Sequence, residues 1–309
     1  MKLESELPPG LTVSKSGVIS SLQQEEIEDL IAHVPEHDSR VAIGEKFNYL
    51  MTLSTEKFNA DCVWWLVRTL NSELVGIANL NRSNRGSPSA HVIVGASNRR
   101  QGIGTYLIKS IGLSVGTVAV RVWNVGDTHS GRLFAKGQGL RHIQNLELMS
   151  ASTRQIRTER QDSFKGFSGR IVATSELDPS WKSLVIDSYS DSAVAQAVAS
   201  SSWWPNAFAV CITQAPDVQL LGILIGRKVL FHSAPATENH LMAVSKATRG
   251  KGFGQVLTEL LLQYSANLGI SHSVSYVDSA NTAAIRAHAD SGFQSVSRNS
   301  IYELSQPSD

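Results

Sequence analysis

Two short glycine turns carry the clearest chemical signal in this sequence. Arg99-Arg100-Gln101-Gly102-Ile103-Gly104 recurs 150 residues later as Arg249-Gly250-Lys251-Gly252-Phe253-Gly254. Each copy follows an apolar run, His91-Val92-Ile93-Val94 or Leu241-Met242-Ala243-Val244, and each precedes a stretch with helical spacing of apolar residues. A strand, a glycine turn and a helix present a row of backbone N–H groups that lack intrahelical partners, and the helix dipole adds positive potential there. Such an arrangement binds phosphate oxygens. Two copies at matched positions describe a duplicated phosphate-binding domain. The bland alternative is that the turns merely join strand to helix.

The type of phosphate ligand follows from comparing patterns. Neither turn supplies the Gly-x-x-x-x-Gly-Lys-Ser/Thr of a Walker A loop. A dinucleotide fingerprint needs Gly-x-Gly-x-x-Gly at the first strand of its domain. Here each turn comes late in its half, after several strand candidates. That leaves the pyrophosphate of coenzyme A.

The elements that must position these turns repeat as well. A chain of 309 residues suits two domains of about 150 residues each. A helix is expected over 21–34, with Ser21 and Gln24 as a capping box. Strands are expected at 62–69, 74–80, 90–95 and 117–123, with a helix after the first turn whose inward residues are Ile103, Leu107 and Ile111. The segment 150–167 lacks periodicity and is taken as the junction. The second half repeats the order, with strands at 169–174, 207–213, 220–226 and 272–278, helices opened by the second turn and by Asn281, and a last strand near 295–303. Leu74-Val75-Gly76-Ile77 has its counterpart in Leu220-Leu221-Gly222-Ile223. The expected fold class is α/β, with two tandem domains at 1–155 and 165–309, each a mixed, mostly antiparallel sheet flanked by helices.

Composition narrows the setting. Net charge is +1, which gives no electrostatic support for a nucleic-acid partner. The polar, acidic start does not read as a secretory signal, and no run approaches the ~20 apolar residues that span a bilayer. A cytoplasmic protein is expected, with no membrane partner. Cys62 and Cys211 lie inside apolar runs and read as core thiols. His91, His129, His232, His240 and His272 show no metal-ligand spacing, so no metal is expected. An internal duplication already supplies a pseudo-dimer, so a monomer is expected.

At this point the sequence resembles the GNAT family of acyl-CoA N-acyltransferases. The Arg-x-x-Gly-x-Gly turn is followed by Asn281-Thr282-Ala283-Ala284, then by Gly292-Phe293, with His288 where the family has a tyrosine. Within that family it is similar to the tandem mycothiol synthases. The similarity covers Gly44-Glu45, the stretch Trp123 to Arg132, Glu238 six residues before Val244, and Tyr276-Val277-Asp278-Ser279.

The resemblance implies an acetyl-CoA-dependent enzyme, with acetyl-CoA as acyl donor, that acetylates the cysteinyl amine of desacetylmycothiol (Cys-GlcN-Ins). In the second half it implies coenzyme contacts at Met242, Ala243 and Val244, at Arg249, Gly250, Lys251, Gly252, Phe253, Gly254 and Gln255, and at Asn281 and Arg286. The corresponding first-half positions are Val92, Ile93, Val94, Arg100, Gln101, Gly102, Ile103, Gly104 and Thr105. Glu238 would be the general base and His288 the acid that protonates the leaving thiolate. Glu45, Arg227, Glu238 and Tyr276 would contact the substrate. In the first half Ala135 falls opposite His288, so that domain is expected to bind coenzyme A without catalysis or to wall the substrate site. The rival readings are a tandem enzyme for another small amine, such as an antibiotic or amino acid, and a noncatalytic acyl-CoA sensor.

Overall fold

A computed structural model describes residues 6–35, 61–82, 88–155, 167–177, 179–188, 207–214, 219–232 and 234–305. In chain order its strands and α-helices begin with β1 (Leu11–Ser16), α1 (Ser21–Ala32), β2 (Cys62–Thr69), β3 (Leu74–Asn81), β4 (Ser89–Val94), α2 (Ile103–Val115), β5 (Val120–Asn124) and α3 (His129–Gly137). They continue with β6 (Arg141–Ser152), β7 (Phe167–Ala173), α4 (Ser180–Ser188), β8 (Ala207–Gln214), β9 (Gln219–Phe231) and β10 (Ala234–Val244). The last are α5 (Phe253–Asn267), β11 (His272–Asp278), α6 (Thr282–Asp290) and β12 (Gln294–Leu304).

These elements form two compact units, Met1–Gln144 with Asn299–Asp309, and Asn145–Arg298. The boundaries differ from a linear cut into 1–155 and 165–309 because the first unit takes its last strand, β12, from the end of the sequence, and the second takes β6 from before the expected junction. In the first unit the order is β1-β2-β3-β4-β5-β12, antiparallel except for β4 beside β5. The end of β12 closes that sheet, with Tyr302 opposite Val122. In the second unit the order is β7-β8-β9-β10-β11-β6, again with one parallel pair, β10 beside β11. There β6 closes the sheet, with Ser275 opposite Met149. The α/β class and the mixed, mostly antiparallel sheets agree with the sequence expectation.

Each sheet is covered on both faces. In the first unit α1 packs Ile27, Leu30 and Ile31 on Trp64, Leu66, Ile77 and Ile93. On the opposite face α2 packs Ile103, Leu107 and Ile111 on Val67, Ala78, Leu80 and Ala90. Two-sided burial explains why β3 reads as a continuous apolar run rather than an alternating one. In the second unit α4 sets Trp181 and Val185 on Cys211, Ile223 and Leu241. There α5 sets Phe253, Leu257 and Leu261 on Phe208, Val210 and Leu224. Emptying such a fully buried position, Ile111 or Leu257 to alanine, costs about 2–5 kcal/mol. The capping box of α1 lies one residue earlier than the spacing suggests. Ser20 Oγ accepts from Gln23 N at 3.3 Å, and Ser20 N donates to Gln23 Oε1 at 2.9 Å. Cys62 and Cys211 are buried and form no disulfide, and burial pushes the Cys211 thiol up to about 11.

Candidate active site

The two glycine turns have the same local build. Gly102 and Gly252 take φ of +87° and +84° at the N-caps of α2 and α5, a conformation open to glycine and costly for other residues. The first arginine of each turn points back to its own strand. Arg99 Nε donates to Val94 O and Arg249 Nε donates to Val244 O, both at 3.3 Å. These guanidinium groups fix the turn, and the exposed backbone beside Gly102 and Gly252 is the kind of helix start that could hold a phosphate. Arg100, Gln101, Gly250 and Lys251 are exposed at the same two mouths, while Ile103, Phe253 and Gln255 are buried. Gly104 and Thr105 line the first mouth. Thr105 Oγ1 also accepts from Gln138 Nε2 at 3.0 Å, and Gly254 lies 3.3 Å, from its would-be Cβ, to the Met242 sulfur.

Beyond each turn the parallel strands part. In the first unit β4 and β5 pair at Ser89 with Arg121 and Ala90 with Val122. The residues after them, Val92, Ile93 and Val94 on one side and Trp123 and Asn124 on the other, line a cleft of about 550 Å³ with Phe134, Ala135 and Tyr302. In the second unit β10 and β11 pair as far as Asn239 with Ser275. Met242, Ala243 and Val244 follow on β10 and Tyr276 on β11. A parting pair of strands above a phosphate cradle fits an elongated acyl thioester with a pyrophosphate at one end.

Glu238 sits just before the second parting. Its side chain is 8% exposed, and both carboxylate oxygens are engaged. Arg227, directly opposite on β9, places Nε and Nη2 each 2.8 Å from Oε2, and His240 Nδ1 lies 3.2 Å from Oε1. Burial by itself raises the carboxyl, but Arg227 and His240 together hold it down at about 2. Glu238 is therefore a fixed anion. Tyr276 shares a small cluster with Ala236 and Val274, and Val274 is opposite Glu238 in the ladder. The structure thus brings Arg227, Glu238 and Tyr276 to one region of β9, β10 and β11. Glu45 lies outside the described residues.

His288 is placed differently from the proton donor expected of it. It is 3% exposed, with Nδ1 2.8 Å from Ala284 O and Nε2 3.0 Å from Asn239 Nδ2. The tautomer that satisfies both carries its proton on Nδ1 and accepts at Nε2. Burial pushes the imidazole below its ordinary value, and the hydrogen bond to Ala284 opposes that only in part. His288 is thus a neutral core residue that holds Asn239, next to Glu238. Ala284 and Ile285, which pack inward, precede it by four and three residues, and that helical spacing was the available signal for burial. Asn281 caps α6, accepting from Ala284 N at 3.0 Å, and Arg286 is exposed on the same helix.

In the first unit Ala135 does stand where His288 stands. Leu140 N donates to Ala135 O as Phe293 N donates to His288 O, at 2.9 and 3.0 Å. A tyrosine nevertheless lines that cleft from the far end of the sequence. Tyr302, on β12, lines it, and burial together with Asp127 pushes its phenol above the ordinary value. Sequence spacing gave no hint of this residue because its partner strand lies nearly 180 residues upstream. Among the described residues no group of His, Cys, Asp and Glu could hold a metal ion, and no helix is long and apolar enough to cross a membrane.

Residues 175–293 match the acetyltransferase (GNAT) family. That match spans most of the second unit. A GCN5-related N-acetyltransferase from Sphaerobacter thermophilus superposes with a TM-score of 0.72 at 15% identity, covering 97% of each chain. A tandem GNAT protein from the clavulanic acid biosynthesis pathway superposes with a TM-score of 0.64 at 16% identity, over 97% of this chain and 100% of that one. The chain as a whole therefore has the tandem GNAT fold. By sequence it is similar to the mycothiol acetyltransferase of Mycolicibacterium vanbaalenii, at 26% identity over 91% of this chain and 94% of that one. It is likewise similar to that of Cellulomonas flavigena, at 23% identity over 98% and 91%.

Proposed function

We propose that the protein is an acetyl-CoA-dependent N-acetyltransferase acting on the cysteinyl amine of desacetylmycothiol, and that the second GNAT unit performs the transfer. The observation that carries this reading is the buried Glu238, paired with Arg227, set where β10 leaves β11 and above a glycine turn that fits a pyrophosphate. The full-length similarity to mycothiol acetyltransferases supports the choice of amine.

Acetyl-CoA, when bound, supplies an acetyl thioester for attack by the amine. The chain must do the rest. Backbone N–H groups from Gly252 to Gln255 would hold the pyrophosphate at the start of α5. A backbone N–H in the stretch Met242, Ala243 and Val244 that points away from β9, where β10 parts from β11, would polarise the thioester carbonyl. The substrate amine arrives as an ammonium, and Glu238 is the anionic centre that draws it in and around which it loses its proton. Arg227 and Tyr276 stand beside that centre to orient the substrate. Neither buried cysteine takes part.

The first unit offers a cleft for a second acyl-CoA molecule. The register places Ser89 where the second unit has Glu238, and Asn81 where it has Arg227. That unit has the cradle without the buried anion, so it holds acyl-CoA without transferring it. The test is acetyl-CoA-dependent thiol release across desacetylmycothiol and unrelated amines. Turnover with desacetylmycothiol alone is the expected result. Turnover only with another amine would replace the substrate, and none with any amine would favour a sensor.

A further inference from the structure

The two units differ by one inserted residue at the site. In the first unit β3 and β4 pair without interruption from Gly76 with Val94 to Asn81 with Ser89. In the second unit the equivalent ladder, from Gly222 with Val244 to Arg227 with Glu238, contains a bulge between Asn239 and Leu241. The extra residue is His240. A bulge lets an additional side chain turn out of the regular alternation, and bulges recur beside active sites for that reason. Here it brings the imidazole Nδ1 to 3.2 Å from Glu238 Oε1.

We infer that His240 is the catalytic base that takes the proton from the substrate ammonium, and that Glu238 is a positioning residue acting through it. The inference rests on the second unit being the site of acetyl transfer. Both oxygens of Glu238 are engaged within the sheet, Oε2 by two nitrogens of Arg227 and Oε1 by His240. A neutral imidazole that donates from Nδ1 to a carboxylate carries its basic lone pair on Nε2. The carboxylate fixes that tautomer and stabilises the imidazolium once the proton arrives, a division of labour known from carboxylate–histidine pairs elsewhere. Access favours the imidazole too, because the His240 side chain is 24% exposed and that of Glu238 8%. The proton balance is simple. One N–H of the ammonium breaks, an Nε2–H bond forms, the amine lone pair becomes available for attack, and the imidazolium later returns its proton to solvent. Arg227 supports the pair by keeping Glu238 ionised.

The test uses the full chain and the thiol-release assay with whichever amine the unaltered protein accepts. For His240→Ala the expected result is a loss of kcat of about 10²-fold or more, the usual contribution of a general base. Its KM for acetyl-CoA should stay unchanged, and added imidazole should restore part of the rate. His240→Gln, which keeps a donor toward Glu238 and fills the same space, should stay inactive. Glu238→Gln should lose less than His240→Ala, since the imidazole remains. Wild-type kcat in a folded His240→Ala protein would overturn the inference while leaving acetyl transfer intact. So would a loss that imidazole does not relieve together with a fully inactive Glu238→Gln. No turnover of any amine by the unaltered protein would overturn this inference and the reading it rests on.

Discussion

Arg227 and Glu238 stand directly opposite each other on β9 and β10, and two guanidinium nitrogens converge at 2.8 Å on a single carboxylate oxygen. The pair is mostly buried, with side chains 21% and 8% exposed. Breaking a buried pair leaves an uncompensated charge and costs about 3–5 kcal/mol. Arg227→Met should lose that amount in denaturant unfolding at pH 7, and Arg227→Lys, which keeps the charge but not the two-pronged contact, should lose less.

Glu238 also sets an acid limit. Its folded carboxyl lies near 2 against an ordinary 4.5, so its contribution is complete above pH 4.5 and disappears as pH falls through about 2. Glu238→Gln should flatten the stability curve in that window, as read by acid unfolding followed by circular dichroism.

His288 gives a second window with the same sign. Its folded imidazole lies below 6.5, so the stability it contributes is full above that pH and declines as pH falls through the lowered folded value. His288→Phe should remove this dependence while leaving Asn239 Nδ2 without its acceptor, at a cost of about 1–3 kcal/mol. Melting temperatures at pH 8 and pH 5 will converge in the variant and differ in the unaltered protein.

The glycine turns make a paired prediction. Gly252→Ala forces a side chain into a left-handed conformation, costing about 1–2 kcal/mol, and should raise KM for acetyl-CoA as the turn distorts. Gly102→Ala does the same in the first unit. Calorimetric titration with coenzyme A should then report one site in place of two.

Removal of residues 299–309 should damage the first unit. The ladder from Ser300 with Asn124 to Leu304 with Val120 would vanish, exposing the edge of β5, and Tyr302 would leave the cleft. Hydrogen exchange should show lost protection in β5 with β10 little affected.

The duplicated fold was legible because it is written in local patterns. Ile103, Leu107 and Ile111 fall on one helix face, and the two glycine turns follow equivalent strands. The closing strands were not, since β6 and β12 carry similar alternation and neither encodes its partner locally. At the site, the place of Glu238 ahead of the second glycine turn was legible from its spacing to Val244. His240 was not, because a histidine in the polar run Glu238-Asn239-His240 gains its relation to Glu238 only from a bulge in the ladder. The burial of His288 was hidden for a related reason. A titratable ring four residues after an inward alanine belongs to the core when a partner such as Asn239 waits there.

The exchange of closing strands has a genetic consequence. A stop codon or a recombination breakpoint in the segment 156–166 would separate β5 from β12 and β11 from β6 at a stroke. Neither resulting gene fragment would encode a whole sheet. A duplication of this kind, once its strands have crossed over, is inherited and lost as one piece.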